Sequence, residues 1–217
     1  MAALILMSLL IAWLRGAVYY DGNVLLLLSY AVVWVPFLAA AGVAVYVRGT
    51  GSAARDLGLR ITWLDVLFGV GAGLLARAAA GIVEIAVTGR MLGTGVTFGD
   101  TVYDGWWLFG TIFAPVLLAP FVEELFFRGL LQRAVQRSST ALLGRRTAIV
   151  ISILASAGLF ALLHVTQAAN PTAALILGAS TFVFGLATAT IAGLTGRIGG
   201  SIVTHVVFNG LLVLTSL

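Results

Sequence analysis

Apolar residues run along this chain in stretches of about twenty, the length of helix that crosses the hydrocarbon of a bilayer. Short clusters of Gly, Pro, Arg and Asp separate the stretches. The pattern predicts seven transmembrane helices, at residues 3–20, 24–47, 61–88, 106–131, 147–165, 172–193 and 201–217. The first resembles a secretory signal in length. No basic segment precedes it and no clear small-residue cleavage site follows it, so it reads as a span. Pro115 and Pro120 fall within the fourth span and should bend it or unwind a turn. Beyond them, residues 128–137 are amphipathic and are expected to leave the membrane. Asn170 and Pro171 mark the turn between spans five and six.

Composition strengthens this picture. The 217 residues are 61% hydrophobic and 9% charged, with a mean hydropathy of +1.11, whereas soluble domains are about 45–50% apolar. The fold class expected is all-α, a polytopic transmembrane helix bundle of about seven spans in one domain over residues 1–217, with no room for a soluble domain. The absence of cysteine excludes disulfides, thiolate metal sites and thiol nucleophiles. All twelve basic residues are Arg, and with eight acids they give a net charge of +4. They form no cluster of the kind that grips nucleic acid, so no nucleic-acid partner is expected. Gly and Ala richness reads as close helix packing through small residues. A composition rich in Ala and Arg and free of Lys suggests a GC-rich bacterial genome, and hence a bacterial plasma (inner) membrane.

The charges also orient the bundle. Arg48, Arg55 and Arg60 follow span two, Arg133, Arg137, Arg145 and Arg146 follow span four, and Arg197 lies between spans six and seven. The opposite turns hold Asp21, Arg90, Asp100 and Asp104. The positive-inside rule then places the N-terminus in the cytoplasm and the C-terminus outside. Arg15 should snorkel from span one, and Trp13, Trp34, Trp63, Trp106 and Trp107 mostly flank spans as interfacial anchors do.

Against this apolar background the fourth span carries Glu123, Glu124 and Arg128. Each ionised group in hydrocarbon costs roughly 2.5–3.5 kcal/mol on insertion scales, so each needs a partner, a watery cavity or a function. Glu124 and Arg128 share a helix face at i and i+4 and can pair. Glu123 points about 100° away and lacks that partner. Only two histidines exist, and both lie in apolar helices: His164, four residues after Phe160, and His205, four residues before Asn209. A lone intramembrane His is often only an interhelical hydrogen bond. Two imidazoles, an amide and a spare carboxylate from three spans can instead activate a water and hold an oxyanion, or bind a metal.

The ordered set Glu123-Glu-x-x-x-Arg128, Phe160-x-x-x-His164 and His205-x-x-x-Asn209 resembles the three motifs of the CAAX protease and bacteriocin-processing (CPBP, or Abi) family, which includes the type II CAAX prenyl endopeptidases. The likeness extends to Pro120, Phe127-Arg-Gly129, Phe184-Gly-Leu186 and Thr195-Gly-Arg197, and covers about residues 106–210, within a motif-bearing half at about 106–217. It implies an intramembrane endopeptidase whose site opens toward the cytoplasmic side. By that resemblance Glu123 and His164 activate the attacking water, His205 and Asn209 hold the oxyanion or orient the scissile carbonyl, and Glu124, Arg128 and Phe160 support the site. Its partners would be membrane lipid and a membrane-associated peptide or protein, prenylated or not; oligomeric state is not legible. Glu123, His164 and His205 would suffice for a catalytic zinc with one open position, while the absence of HExxH excludes ordinary zincin geometry. The sequence leaves metal use open.

One expectation conflicts with this assembly. At 1.5 Å per residue from the arginine-bearing ends, Glu123 and His205 fall in the inner half of the membrane and His164 near the outer half. Span five must tilt or start deep, or span four must bend, for them to meet. Arg77 and Glu84, seven apart on one face of span three, are expected to serve structural pairing, with a substrate groove the minor alternative. Two other functions compete. A scaffold or accessory subunit would keep the same residues without proteolysis, and a small transporter would show inverted repeats, which are not seen.

Overall fold

The computed structural model describes residues 21–90 and 104–214, together with Ile5, Leu6, Leu9, Ala12 and Trp13. The rest of the predicted first span with Arg15, Asp100, and the last three residues of the predicted seventh span lie outside the described residues. Among the described residues from 21 onward, seven helical segments follow in order: α1 Gly22–Val47, the short α2 Ala53–Asp56, α3 Trp63–Thr88, α4 at residues 105–143, α5 at residues 145–165, α6 Pro171–Thr195 and α7 Gly199–Leu214. No strand occurs among the described residues. By length and apolar composition α1, α3, the α4–α5 stretch and α6 can each cross a bilayer, with α7 a shorter apolar helix. The protein is an all-α, multi-pass membrane bundle.

The predicted ends of spans four and five need correction. Residues 130–143 contain neither Gly nor Pro, so the helix does not stop at Leu131 but continues to residue 143. It breaks at Gly144, whose φ of 75° and ψ of 161° lie in a region essentially reserved for glycine. A straight helix would separate Glu123 from His164 by about 60 Å. They come within 4.0 Å, and Ser156 Oγ donates to the Phe127 carbonyl at 3.2 Å. The chain therefore doubles back at Gly144. Glu123 lies 21 residues before that glycine and His164 lies 20 after it, so the two arms bring them to one depth. The conflict over the depth of His164 came from treating residues 132–146 as a loop at the membrane surface.

Prolines reshape the first part of α4. Residues 108–118 and 125–131 are wound as π-helix, and the Ala119 N–H bonds to the Ala114 carbonyl rather than to Pro115. The residue one further on is Pro120, which has no N–H. Two prolines spaced by five thus leave the Pro115 carbonyl without a helical donor.

Small residues set the packing that carries the site. A Cβ on Gly69 would lie 2.7 Å from Val203 Cβ, and one on Gly73 would lie 2.7 Å from Val207 Cβ, so α3 and α7 pack backbone to backbone. Gly185 lies similarly close to Ala157 between α6 and α5. Phe37, Phe127, Phe160, Phe184 and Phe208 fill the centre.

The arginine-bearing turns meet at one end of the bundle. Arg133 donates to the Gly196 carbonyl, and the Ile198 N–H to the Gly58 carbonyl at 3.0 Å. Arg197 forks onto Asp65 at 3.0 and 3.1 Å. Those hydrogen bonds hold the Arg197 guanidinium above its ordinary range. Asp65 also caps α3 through a reciprocal box with Thr62.

Candidate active site

The period of α4 sends its two adjacent glutamates to different neighbours. Glu124 is fully buried and accepts from Arg128 at 3.0 Å through Oε1. The same oxygen accepts from His205 Nδ1 at 2.9 Å. Arg128 reaches on to the Gly185 carbonyl at 3.4 Å, and its guanidinium carbon lies 4.5 Å over the Phe160 ring, a cation–π contact. Phe160 also stands 4.3 Å from the His164 ring and 5.7 Å from the His205 ring, centre to centre. The supporting set of Glu124, Arg128 and Phe160 is thus one buried unit that aims both imidazoles.

Glu123 turns to a partly open side, with its side chain 13% exposed and that of His164 18%. Its Oε2 stands 4.0 Å from His164 Nε2 and 4.0 Å from His205 Nε2. His164 Nδ1 donates to the Phe160 carbonyl at 2.9 Å, and His205 Nδ1 donates to Glu124. In the neutral imidazoles, therefore, both Nε2 atoms are acceptors facing a carboxylate oxygen. Three acceptors converging on one point need a donor between them. A separation of 4.0 Å is beyond a direct hydrogen bond and is spanned by one water.

The same three groups were the candidates for zinc. Nitrogen and oxygen ligands 2.0–2.1 Å from a tetrahedral zinc lie about 3.4 Å from one another. The observed spacings are wider, and no group of three or more His, Cys, Asp or Glu among the described residues is placed to hold a metal ion. The residues as positioned do not fit a preformed zinc site, and the chemistry below rests on the side chains and a water.

Asn209 lies on the His205 face of α7, but its amide is engaged. Nδ2 donates at 2.8 Å to the Pro115 carbonyl, the group left without a helical donor by the two prolines. One N–H on Nδ2 remains beyond that bond. The sequence carried no clear signal for this contact: in an α-helix Pro120 would leave the Val116 carbonyl without a donor, and it is the π-winding that moves the orphan to Pro115. Arg77 and Glu84 pair with each other at 3.3 Å, in the wall of a separate cavity shared with Ser180 and Thr181. No periodic signal marks Gly185 as the acceptor for Arg128 or Asp65 as the acceptor for Arg197.

With this geometry in view, residues 105–211, about half of the chain, match the family model for type II CAAX prenyl endopeptidase Rce1-like proteins. The chain belongs to the CAAX protease family. All three motifs of this CAAX protease family member lie inside the matched region. The family is one of intramembrane endopeptidases, so a membrane setting and a peptide substrate follow in general terms. No curated protein matches the chain, and neither does any solved structure.

Proposed function

We propose that this family member is an intramembrane endopeptidase that hydrolyses a peptide bond of a membrane-associated substrate with a water held by Glu123 and His164. The convergence of Glu123 Oε2 with both Nε2 atoms at 4.0 Å carries the reading. A water between Glu123 and His164 gives one proton to the carboxylate as its oxygen attacks the scissile carbonyl carbon. That proton then passes to the amide nitrogen as the C–N bond breaks, so the leaving amine departs neutral and Glu123 is regenerated. The remaining N–H of Asn209 is positioned to face the carbonyl oxygen as charge develops there, and His205, whose Nδ1–H is held by Glu124, does so in its imidazolium form, in which Nε2 also donates. The domain organisation in this reading is a single transmembrane unit, with its arginine-bearing end in the cytoplasm.

Purified protein in lipid vesicles, offered a panel of membrane-tethered peptides with and without a prenylated cysteine, tests the proposal. Cleavage by the native chain and none by Glu123→Ala supports it. Equal cleavage by both contradicts the role of Glu123, and none by either across the panel while the native protein remains folded favours the non-proteolytic scaffold.

A further inference from the structure

Behind the candidate active site, between α4, the start of α5 and the end of α6, lies a cavity of about 370 Å³ lined by Arg128, Gln132, Arg133, Arg137, Thr140 and Arg145, with the last turn of α6 as its far wall. Four of the twelve arginines face this space, and no acidic residue lines it. Glu124 answers Arg128 from behind, and the Gly196 carbonyl takes Arg133. Arg137 and Arg145 form no ion pair among the described residues. One deeply buried donor of this wall has no partner, Arg128 Nε, on a residue 1% exposed; Gln132 Oε1, also unpartnered, is an acceptor and would need a donor such as a water. A buried donor without an acceptor is costly enough that native structures rarely tolerate it.

We infer that this cavity binds the phosphate of an anionic phospholipid head group. Several guanidinium forks around one space suit a group with several charged oxygens better than a carboxylate, which occupies a single fork. The surroundings favour a lipid as the source. Leu194 in the cavity wall is 74% exposed, and Leu142 at the hairpin tip is 85% exposed, so apolar side chains flank the opening where acyl chains would lie. A phosphate oxygen at Arg128 Nε, directly or through water, would satisfy that donor and hold the guanidinium against Glu124, which positions His205. This last coupling rests on the proteolytic reading; the binding itself does not, and is tested without activity.

The test measures lipid retained by the purified full chain in native mass spectrometry, and the thermal midpoint on adding short-chain phosphatidylglycerol, phosphatidylcholine or inorganic phosphate. The expected result is that phosphatidylglycerol is retained and stabilises. It should bind about fivefold more weakly for each arginine removed in Arg137→Gln and Arg145→Gln, and unchanged in Arg55→Gln, which removes the same charge outside the cavity. Equal retention of the two lipids by the native chain overturns the selection of an anionic head group, and an equal loss in Arg55→Gln overturns the site as bulk electrostatics. Stabilisation by inorganic phosphate equal to that by the lipid overturns the lipid as its source. Because the comparison of lipids uses the native chain, misfolding of a variant does not rescue the inference.

Discussion

Replacing Glu124 by Ala should damage folding far more than replacing its neighbour Glu123. The Glu124 and Arg128 side chains are both 0% exposed, and among the described residues Glu124 Oε1 is the only carboxylate oxygen bonded to the guanidinium. Removing one partner of a buried pair leaves an uncompensated charge and costs about 3–5 kcal/mol, of which the cation–π contact with Phe160 offsets about 0.5–2 kcal/mol. The lost hydrogen bond to His205 adds about 1 kcal/mol. A net loss of roughly 2–5.5 kcal/mol is therefore expected, about a thirtyfold or greater shift in the folding equilibrium. Glu123 makes no contact shorter than 4.0 Å with either imidazole, and Glu123→Ala should cost under about 1 kcal/mol. Denaturant unfolding of each variant in detergent micelles, followed by helix signal, measures both. The apolar pair Glu124→Leu with Arg128→Met should recover much of the loss, because it removes both charges together. Similar small losses for Glu124→Ala and Glu123→Ala would refute the division of labour between the two carboxylates.

Three further outcomes follow from the fold. Gly144→Ala places a Cβ at a φ of 75° and ψ of 161° and should cost about 1–3 kcal/mol; an unchanged unfolding midpoint would mean that the hairpin is not fixed there. Asn209→Ala leaves the Pro115 carbonyl without its donor and should cost about 1–3 kcal/mol, whereas the same change in a Pro120→Ala background should cost less, since residue 120 then supplies an N–H; equal costs in both backgrounds would contradict this reading of the proline pair. Gly73→Val forces α3 away from α7 at the Val207 contact, so cleavage should fall more steeply than helix content, as His205 rides on α7; retained cleavage would show that this packing does not set the site.

Much of this arrangement was readable before any coordinates. The i, i+4 spacing of Glu124 and Arg128 foretold their pairing, and hydrophobic length foretold the apolar helices α1, α3, α6 and α7 and the existence, though not the ends, of α4 and α5, because both depend on local period alone; the four-residue α2 carried no such signal. The reversal at Gly144 was not legible, since a single glycine among helix formers signals either a tolerated residue or a break, and only tertiary packing chooses. That ambiguity displaced His164 to the wrong depth. The bond from Asn209 to Pro115 was not legible: two prolines announce a disturbed turn, but α-winding would orphan the Val116 carbonyl, and only the π-winding moves the orphan to Pro115. The fork between Arg197 and Asp65 spans 132 residues in sequence, and no periodic signal reaches so far.

The account stands most directly on whether Glu123 and His164 act on one water. Cleavage rates of a membrane-tethered peptide by Glu123→Gln, His164→Ala and the double variant, all in the same vesicles, measure it. Groups that share a step are strongly non-additive, so the double variant should be no slower than the slower single variant, with each single variant losing at least about a hundredfold in kcat. Losses that multiply in the double variant would contradict the shared water and assign the two residues to separate steps.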